Sequence, residues 1–493
     1  MAYKPKNLEE FTQLASNSNL VAVTKTIAAD LLTPVAAYLR LSSGSTHSFL
    51  LESVEGGEKV ARYSFLGIDP HLILRARGRQ IEIVEAGQVR SQKGDFFDIV
   101  RQIFNRFKPS KMTDLPMFTG GAVGYIGYDA VRWFEDIPDK NPDSINIEDA
   151  VLMFFSSILA FDHVKRQIVI IVNAFKSSEN SSLETLYQNS LNKIAQIENL
   201  LTLPIALPAK RPRTYPPSIR SNFTKEQFEN AVEKAKEYIK AGDIFQVVLS
   251  QRFEIDIVTH PFQIYRAVRM VNPSPYMFYL SMGEITLAGA SPEMLVRCTS
   301  RRLDYRPIAG TRPRGTTDVE DALAGEELRA DEKEVAEHIM LVDLGRNDLG
   351  RVSDYGSIEI LEMMVIERYS HVMHMVSSLR GRLHSSKDRF DALQACFPAG
   401  TVSGAPKVRA MEIIDELEPT QRSFYAGTVL YLDYAGNLDS CITIRSVLVK
   451  DGKAYIQAGA GIVADSVAEK EYIETVNKAR ALLKAIEVAE KEL

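Results

Sequence analysis

Cysteine is scarce in this sequence of 493 residues: only Cys298, Cys396 and Cys441 occur, far apart and without a CxxC pair. This spacing excludes a disulfide framework, and it supplies no cysteine and histidine set for a zinc site. The simplest account is a reduced compartment. A cysteine nucleophile is the weaker alternative that the spacing leaves open.

Long apolar runs and a large excess of one charge are also absent. The longest apolar stretches, such as residues 168–172, are far shorter than the roughly 18 residues of a membrane-spanning helix, and the first residues lack the apolar core of a secretory signal. The net charge is −6, which disfavours nucleic acid and anionic membranes as partners. We therefore expect a cytoplasmic globular protein.

Proline is concentrated in residues 201–221, which predicts an extended connector. The connector separates an N-terminal domain, residues 1–200, from a C-terminal domain, residues 222–493. In the N-terminal domain, alternating or continuous apolar runs predict two pairs of strands, at residues 72–84 and at 151–161 with 167–175.

The C-terminal domain begins with a helix signal. Thr224 and Gln227 form a capping-box pattern, apolar residues then recur at helical spacing, and Gly242 ends the pattern. Near the end of the chain we predict three strands joined by polar turns and then a last helix, at residues 427–433, 439–449 and 454–463 and from residue 469 onward. Strand-rich stretches beside helices, without regular βαβ alternation, indicate the α+β class.

Two pairs of glutamates have a spacing of three residues, Glu334 with Glu337 and Glu471 with Glu474. In a helix this spacing puts both carboxylates on one face. The first pair continues into an apolar stripe, so it points inward, where a charge needs a cation. Four carboxylates from two helices suit magnesium, which prefers oxygen ligands. For either pair alone, the alternative is a solvated helix face.

Three glycine-bearing loops have a composition that suits a small anion: residues 310–315, 398–407 and 458–463. Glycine lets backbone N–H groups approach a ligand closely, because no Cβ stands in the way. The third loop lacks the last glycine of a dinucleotide fingerprint, so a nucleotide cofactor is not supported. Bulges and tight turns are the alternative for all three loops.

Two histidines, His371 and His374, lie three residues apart in a mixed apolar stretch. Either has the chemistry of a general acid or base near neutral pH. The alternative is a histidine that only completes the core. From chemistry alone, the sequence indicates a carboxylate and metal site that binds an anionic small molecule.

Five motifs together resemble those of the chorismate-utilising enzymes: residues 290–293, 307–315, 337–348, 398–407 and 442–446. The N-terminal half resembles the first domain of anthranilate synthase large subunits, through residues 50–53 and 120–125. The resemblance implies a layered α/β/β/α fold with two packed antiparallel sheets. It also implies a lyase of tryptophan biosynthesis that converts chorismate and ammonia to anthranilate and pyruvate.

The same resemblance assigns the ligands of the site. Magnesium is held by Glu337 and Glu474, with Glu334 and Glu471 close by or joined through water, and the ring carboxylate of chorismate lies on the metal. The substrate is held by residues in or near the glycine-bearing motifs: Gly310, Thr311, Thr401, Tyr425, Arg445, Gly459, Ala460 and Gly461. Among these, Arg445 has the donor fork that suits a carboxylate.

Two residues resemble those with chemical roles in the family. Glu293 corresponds to the acid that protonates the 4-hydroxyl leaving group while ammonia adds at C2, and His374 to the base that removes the C2 proton as pyruvate leaves. His371 is the weaker candidate for that base.

Two further positions separate the relatives by product. Isochorismate synthases carry a lysine where Gln246 stands, and aminodeoxychorismate synthases carry one where Ala309 stands. Both residues therefore favour anthranilate over isochorismate or aminodeoxychorismate. A non-catalytic sensor of small anions is the remaining alternative.

The resemblance also implies regulation and a partner. A tryptophan feedback site is expected from Glu52 and Ser53 together with Pro275, Tyr276 and Met277, although without the resemblance these segments would be a strand and a turn. No cysteine lies in a glutaminase-type turn, so glutamine use needs a separate glutaminase subunit. We expect a heterotetramer of two large and two small subunits.

Overall fold

A computed structural model describes most of the chain, namely residues 3–53, 62–176, 182–209, 213, 218–369 and 372–493. These residues form 11 α-helices: α1 Leu8–Ala15, α2 Pro34–Leu41, α3 Phe96–Asn105, α4 Leu183–Leu201, α5 Lys225–Ala241, α6 Pro261–Val271, α7 Asp318–Ala330, α8 Glu332–Gly350, α9 Arg389–Cys396, α10 Lys407–Leu417 and α11 Ala468–Lys491. Across the described ranges, none of the helices combines the length and the apolar character that a bilayer-spanning segment needs.

The described residues also form 25 strands: β1 Tyr3–Lys4, β2 Leu20–Ala28, β3 His47–Glu52, β4 Tyr63–Ile68, β5 Leu72–Arg77, β6 Gln80–Glu85, β7 Gln88–Lys93, β8 Gly121–Ile126, β9 Ala150–Phe155, β10 Ser157–Asp162, β11 Gln167–Phe175, β12 Ile219–Ser221, β13 Gln246–Asp256, β14 Tyr276–Met282, β15 Ile285–Ser291, β16 Met294–Thr299, β17 Arg302–Tyr305, β18 Ile308–Pro313, β19 Glu359–Arg368, β20 Val372–Arg382, β21 Gly404–Ala405, β22 Thr428–Asp433, β23 Leu438–Ile442, β24 Ser446–Lys450 and β25 Lys453–Ile462. Two 3₁₀ turns, Tyr128–Trp133 and Gly400–Val402, complete the regular structure of this part of the chain.

The strands form two large antiparallel sheets. The first has 13 strands in the order β1-β2-β11-β10-β4-β3-β14-β15-β24-β25-β13-β12, with β21 paired to β13. The second has 12 strands in the order β18-β20-β17-β16-β23-β22-β8-β9-β5-β6-β7, with β19 paired to β20. One large apolar core contains side chains of both sheets, and helices such as α4, α6 and α11 pack on the first sheet while α8 and α9 pack on the second. The predicted α+β class and the layered arrangement with two antiparallel sheets are confirmed.

Each sheet contains strands from both halves of the sequence, with the N-terminal strands on one side of a single junction and the C-terminal strands on the other. In the first sheet β3 pairs with β14, so that Glu52 lies opposite Met277. In the second sheet β8 pairs with β22, so that Ile126 lies opposite Thr428. The proposed boundary at residues 201–221 therefore marks a change of sequence character inside a shared framework, and the division into two folding units stays a prediction.

Several local predictions are confirmed in detail. Residues 72–84 form the hairpin of β5 and β6, and Gly78 lies in its turn with a φ of 54°. The Thr224 and Gln227 side chains form a reciprocal capping box at the start of α5. Gly242 ends this helix in the left-handed region, with a φ of 86°, where a residue without Cβ is favoured.

Two predicted strands are wrong in the same way, because each is in fact two strands in different sheets. Residues 151–161 divide at Ser156 into β9, in the second sheet, and β10, in the first. Residues 439–449 divide after Ile442 into β23 and β24, which again lie in different sheets. The second crossing places Arg445 between the sheets with a φ of 52°.

Candidate active site

The two glycines of β25 lie where side chains of the site approach its backbone. Gly459 and Gly461 pair in unbroken register with β13. A Cβ at position 461 would lie 2.5 Å from Nε2 of Gln246, and one at position 459 would lie 2.8 Å from the hydroxyl oxygen of Tyr425. Ala460, between them, is fully buried. The alternative of a bulge at these glycines is therefore wrong: they make room for Gln246 and Tyr425.

Gln246 connects this strand pair to helix α8. It is the first residue of β13, it is buried, and its Nε2 donates a hydrogen bond to Oε1 of Glu337 at 3.3 Å. Burial raises the pKa of Glu337, and the neighbouring charge of Glu334 acts in the same direction. The hydrogen bond from Gln246 opposes the shift. The predicted inward direction of this carboxylate is thus confirmed.

The other three glutamates of the two pairs have different partners. Glu334 forms an ion pair with Arg312 at 3.2 Å, and its Oε2 would lie 3.1 Å from a Cβ at position 310. Glu474 forms an ion pair with Lys478 at 2.7 Å. Burial raises the pKa of Glu471, a hydrogen bond with Ser466 opposes this, and the charge of Glu474 adds to it.

The donor chemistry at these helices fits a hard divalent cation. Glu337 and Glu471 come from different helices, and each has a pKa that burial and a neighbouring carboxylate raise. The positive charges of Lys333 and Lys478 lower the pKa of both carboxylates, so the two glutamates lie near the same charged groups. Within the described ranges no three acidic, histidine or cysteine side chains converge as a complete ligand set. Such a site suits magnesium, which often takes one or two carboxylates and completes its shell with water and substrate.

His374 is held on β20 by the bulged strand β18. Its Nδ1 lies 2.9 Å from the carbonyl oxygen of Gly310 and 3.1 Å from the hydroxyl of Thr311. A carbonyl only accepts, so Nδ1 carries the proton and Nε2 keeps its lone pair. Burial lowers the pKa of His374, and the positive charge of Arg445 lowers it further. The hydrogen bond with the Gly310 carbonyl raises this pKa and partly offsets the shift. The imidazole of His374 is therefore uncharged near neutral pH. His371 lies outside the described residues.

Glu293 follows the end of β15 in an enclosed position. Its side chain is buried, and its backbone carbonyl accepts a hydrogen bond from Ile442 N at 3.0 Å. Burial raises the pKa of Glu293 to about 8, and the adjacent Thr401 opposes the shift. The Thr401 hydroxyl is buried without a hydrogen bond of good geometry to any described residue. The structure thus provides a carboxylic acid that stays protonated at neutral pH, beside an unused hydroxyl.

Tyr425 and Arg445 are the two remaining side chains predicted to bind the substrate. Burial raises the pKa of Tyr425 to about 12, so its phenol stays protonated and available as a donor. Burial lowers the pKa of Arg445, whereas the charges of Tyr425 and Glu474 raise it. The guanidinium therefore lies near both of these side chains. An open cavity of about 490 Å³ next to Arg445 is bordered by α11 residues, including Glu474 and Lys478. A carboxylate entering this cavity meets the Arg445 guanidinium, whose planar set of donors suits it.

A separate cavity of about 500 Å³ lies where β3 and β14 pair. It contains all five residues predicted for a regulatory ligand: Glu52, Ser53, Pro275, Tyr276 and Met277. Its walls are rich in aromatic side chains, among them Tyr63, Phe65, Phe278 and Tyr431. The Ser53 hydroxyl is buried and has no hydrogen-bond partner among the described residues. The cavity therefore combines aromatic walls with an unused polar group, which suits a ligand with an aromatic ring and polar ends.

Several partner residues of these sites were not found from the sequence. Glu52 accepts a hydrogen bond from the Tyr265 hydroxyl at 2.5 Å and forms an ion pair with Arg269 at 3.2 Å. Lys478 donates to the carbonyl of Gly459 at 2.9 Å as well as contacting Glu474. The i,i+4 spacing of Tyr265 and Arg269, and of Glu474 and Lys478, was the signal available in the sequence.

Comparisons with known proteins identify the family of the chain. A family model described as chorismate binding enzyme matches residues 46–484. The chain therefore belongs to the family of chorismate-binding enzymes. Among its curated relatives, the anthranilate synthase component 1 of Acetivibrio thermocellus is 48% identical over 489 residues, covering 98% of each chain. That of Synechocystis sp. is 47% identical and covers 97% of this chain and 98% of the relative.

Solved structures give the same fold. Anthranilate synthase component I from Streptococcus pneumoniae has a TM-score of 0.75 at 36% identity, and the match covers 92% of this chain and 98% of that one. The menaquinone-specific isochorismate synthase of Escherichia coli has a TM-score of 0.72 at 19% identity, over 97% and 98% of the two chains. The second likeness concerns the fold alone, so the product must be argued from particular residues.

Proposed function

We propose that this chain is the ammonia-using component of an anthranilate synthase in tryptophan biosynthesis, a carbon–oxygen lyase that converts chorismate and ammonia into anthranilate, pyruvate and water. The observation that carries the proposal is the full-length identity of 48% with an anthranilate synthase component 1. The charge of Arg445 acts on His374, and that of Tyr425 acts on Arg445, so these three side chains lie near one another. Together with the protonated Glu293 they supply an acid, a base and donors for a carboxylate, which supports the proposal.

Two residues support anthranilate over the products of related enzymes. Gln246 has an amide, which cannot activate water as a lysine would, and its Nε2 is already bonded to Glu337. Ala309 is buried opposite Met375 and offers no amine that could attack the ring. Isochorismate and aminodeoxychorismate are therefore the disfavoured products. A non-catalytic sensor would not need the protonated acid at Glu293.

The first chemical step replaces the 4-hydroxyl of chorismate by an amino group at C2. Glu293, whose pKa is about 8, donates its proton to the departing hydroxyl, which leaves as water. Arg445 and the backbone N–H groups near Gly459 and Gly461 hold the enolpyruvyl carboxylate, while Tyr425 and Thr401 contribute hydroxyl donors. Ammonia forms the new bond at C2 and loses one proton, giving aminodeoxyisochorismate.

The second step releases pyruvate from that intermediate. Nε2 of His374 takes the proton from C2, and the ring becomes aromatic as the bond between the ring and the enolpyruvyl oxygen breaks. The bond from Nδ1 to the Gly310 carbonyl fixes the ring for this transfer. The enolpyruvyl group gains a proton and departs as pyruvate, so that atoms balance over both steps.

The glutamates of α8 and α11 would hold magnesium, with Glu337 and Glu474 as the assigned ligands and Glu334 and Glu471 beside them. When bound, the ion supplies a positive charge that holds the ring carboxylate and withdraws electron density from the ring. Glu337 contributes a half-buried carboxylate that accepts a hydrogen bond from Gln246. Within α11, Lys478 forms an ion pair with Glu474 at 2.7 Å.

Ammonia is proposed to come from a separate glutaminase component, in a heterotetramer of two large and two small subunits. The relatives carry the name component 1, which implies a second component. All three cysteines here are buried, and burial raises the pKa of each thiol, so none is a reactive thiolate. A glutaminase nucleophile must therefore belong to another chain.

With chorismate, magnesium and an ammonium salt, the purified chain is expected to form anthranilate at alkaline pH, where more ammonia is unprotonated. With glutamine in place of the salt, no product is expected until a glutaminase component is added. Anthranilate fluorescence measures both reactions, and the ammonium reaction of the same preparation is the control. Efficient use of glutamine by this chain alone would contradict the division of labour.

We also propose that the cavity beside the paired strands β3 and β14 binds tryptophan as a feedback inhibitor. The aromatic walls suit the indole, and the Ser53 hydroxyl and Glu52 carboxylate suit the polar end of an amino acid. Because Glu52 is already paired with Arg269, the ligand's ammonium group must share or replace that contact.

The strand register offers a route from this cavity to the acid. β14 lies between β3 and β15, and Tyr276 pairs with Ser291, two residues before Glu293. A ligand that favours one position of β14 thereby acts on the position of Glu293. Inhibition requires that tryptophan bind the less active conformation more tightly, and chorismate must then weaken tryptophan binding by the same factor.

Ser53→Phe is expected to raise the tryptophan concentration for half-inhibition about tenfold or more, since a phenyl ring fills the cavity and removes contacts that are worth over 1 kcal/mol. Uninhibited activity should change little, because Ser53 contacts no catalytic group. Inhibition curves test this, with Ser91→Phe, at an exposed serine of β7, as the matched control. Unchanged sensitivity in Ser53→Phe would remove the ligand from this cavity.

A further inference from the structure

We infer that Arg422, paired with Glu418, is a positioning residue that fixes three substrate-binding elements relative to one another. The inference rests on the proposed function of the same site. Arg422 is 1% exposed and is among the largest fully buried side chains of the described residues. Its partner Glu418 is 3% exposed. Neither residue belongs to the motifs that led to the site.

The guanidinium of Arg422 uses three of its nitrogens at once. Nε and Nη2 donate to Glu418 at 3.0 and 2.6 Å, Nη1 donates to the carbonyl of Val402 at 2.6 Å, and Nη2 also donates to the carbonyl of Val248 at 2.6 Å. A guanidinium is planar and its donors have fixed directions. The two carbonyls are therefore held at a fixed separation and angle.

Each contact of this group leads to a predicted substrate contact. Val402 ends the 3₁₀ turn that carries Thr401. Val248 lies on β13 opposite Gly461. The guanidinium carbon also lies 5.6 Å from the ring centroid of Tyr425. One rigid group thus joins the Thr401 turn, the glycine strand and the tyrosine.

Glu418 extends the same arrangement along β13. Its Oε1 accepts hydrogen bonds from both the backbone N and the Oγ of Ser250, each at 2.8 Å. Ser250 lies opposite Gly459 on β25, and its Oγ also accepts from Gln457 at 2.8 Å. The Glu418 carboxylate therefore fixes the position of β13 at Ser250, opposite Gly459.

Packing alone does not require a charge pair at this position. Apolar side chains of similar volume often replace buried ion pairs without loss of stability, because taking two charges out of water is costly. What an apolar replacement cannot supply is a set of directed donors to two carbonyls and a carboxylate. Small displacements of binding groups can lower a rate about 100-fold, so precise placement has a measurable effect.

The test compares Arg422→Lys with Arg389→Lys. Arg389 is also buried and also donates to two backbone carbonyls, those of Asp433 and Asn437, but these lie at the turn between β22 and β23, away from the site. In Arg422→Lys we expect kcat/KM for chorismate to fall about 10- to 100-fold, while the KM for ammonia stays within about threefold. In Arg389→Lys both constants should stay within about threefold of the wild type.

A double-mutant cycle separates positioning from general destabilisation. Since Arg422 acts through the Thr401 turn, Thr401→Val should cost clearly less in the Arg422→Lys background than in the wild type. Purely additive effects, an unchanged kcat/KM in Arg422→Lys, or an equal loss in Arg389→Lys would each overturn the inference. If Arg422→Lys fails to fold, the same cycle is run on Glu418→Gln/Arg422→Met, which removes both charges together.

Chorismate affinity, measured by calorimetry on each variant, keeps this test separate from the proposed function. If the wild type binds chorismate but forms no anthranilate, the proposed function fails and the affinities still test the positioning role. If the wild type forms anthranilate and Arg422→Lys matches it in affinity and rate, the inference alone fails.

Discussion

Replacing Glu337 by glutamine is expected to lower anthranilate formation about 1000-fold or more while the protein still folds, since a metal ion contributes several kcal/mol to the stabilisation of a transition state. Glutamine keeps the volume of the side chain but removes the negative charge. Burial and the neighbouring Glu334 both disfavour the charged form of Glu337, and a bound cation would offset this cost. The same loss is expected for Glu474→Gln.

Thermal unfolding supplies a second measurement for the same variant. A ligand that binds the folded state raises the unfolding midpoint, and at a given concentration a tighter ligand raises it more, so magnesium should stabilise the wild type more than Glu337→Gln. Glu332→Gln, at an exposed position of α8, is the control and should retain both activity and the magnesium effect. Magnesium-dependent turnover that survives in Glu337→Gln would overturn the assignment of this carboxylate.

Glu293→Gln is expected to lower turnover about 100- to 10,000-fold, the usual contribution of a general acid. Glutamine keeps the shape of the side chain but has no proton to give to the departing hydroxyl. Because burial raises the pKa of Glu293 to about 8, the acid form predominates below this pH and is lost above it. The wild-type kcat/KM for chorismate, corrected for the concentration of free ammonia, should therefore be level up to about pH 8 and fall at higher pH.

The pH profile and the variant test the same proton. In Glu293→Gln the fall at high pH should disappear along with most of the activity, whereas Glu284→Gln, at the exposed turn between β14 and β15, should keep both rate and profile. A wild-type profile without a decline above pH 8, or an active Glu293→Gln, would assign the acid to another group.

Helices and hairpins followed directly from local patterns in the sequence. The capping box at Thr224 and the αL residue Gly242 are local signals, and the structure has both where they were predicted. Strand crossings were not found, because the polar residues at each crossing, Ser156 with Ser157 and Arg445 with Ser446, are too few to indicate a change of sheet. This is why residues 151–161 and 439–449 were each predicted as one strand.

Only those parts of the site that depend on local spacing could be predicted from the residues alone. The spacing of Glu334 and Glu337 already indicated an inward-facing carboxylate, because helical periodicity is local. The roles of Gly459 and Gly461 stayed open until Gln246 and Tyr425 could be placed against them. The pairing of Glu52 with Met277 joins residues more than 200 positions apart, and no local pattern carries such information. Only the family resemblance connected these segments in advance.

The most direct test of the account is to identify the product that the purified chain forms from chorismate, magnesium and ammonium. We expect anthranilate, seen by its fluorescence and separated by chromatography, with one pyruvate released for each anthranilate. Isochorismate or aminodeoxychorismate as the main product would contradict the roles given to Gln246 and Ala309, and binding of chorismate without any turnover would contradict the catalytic account as a whole.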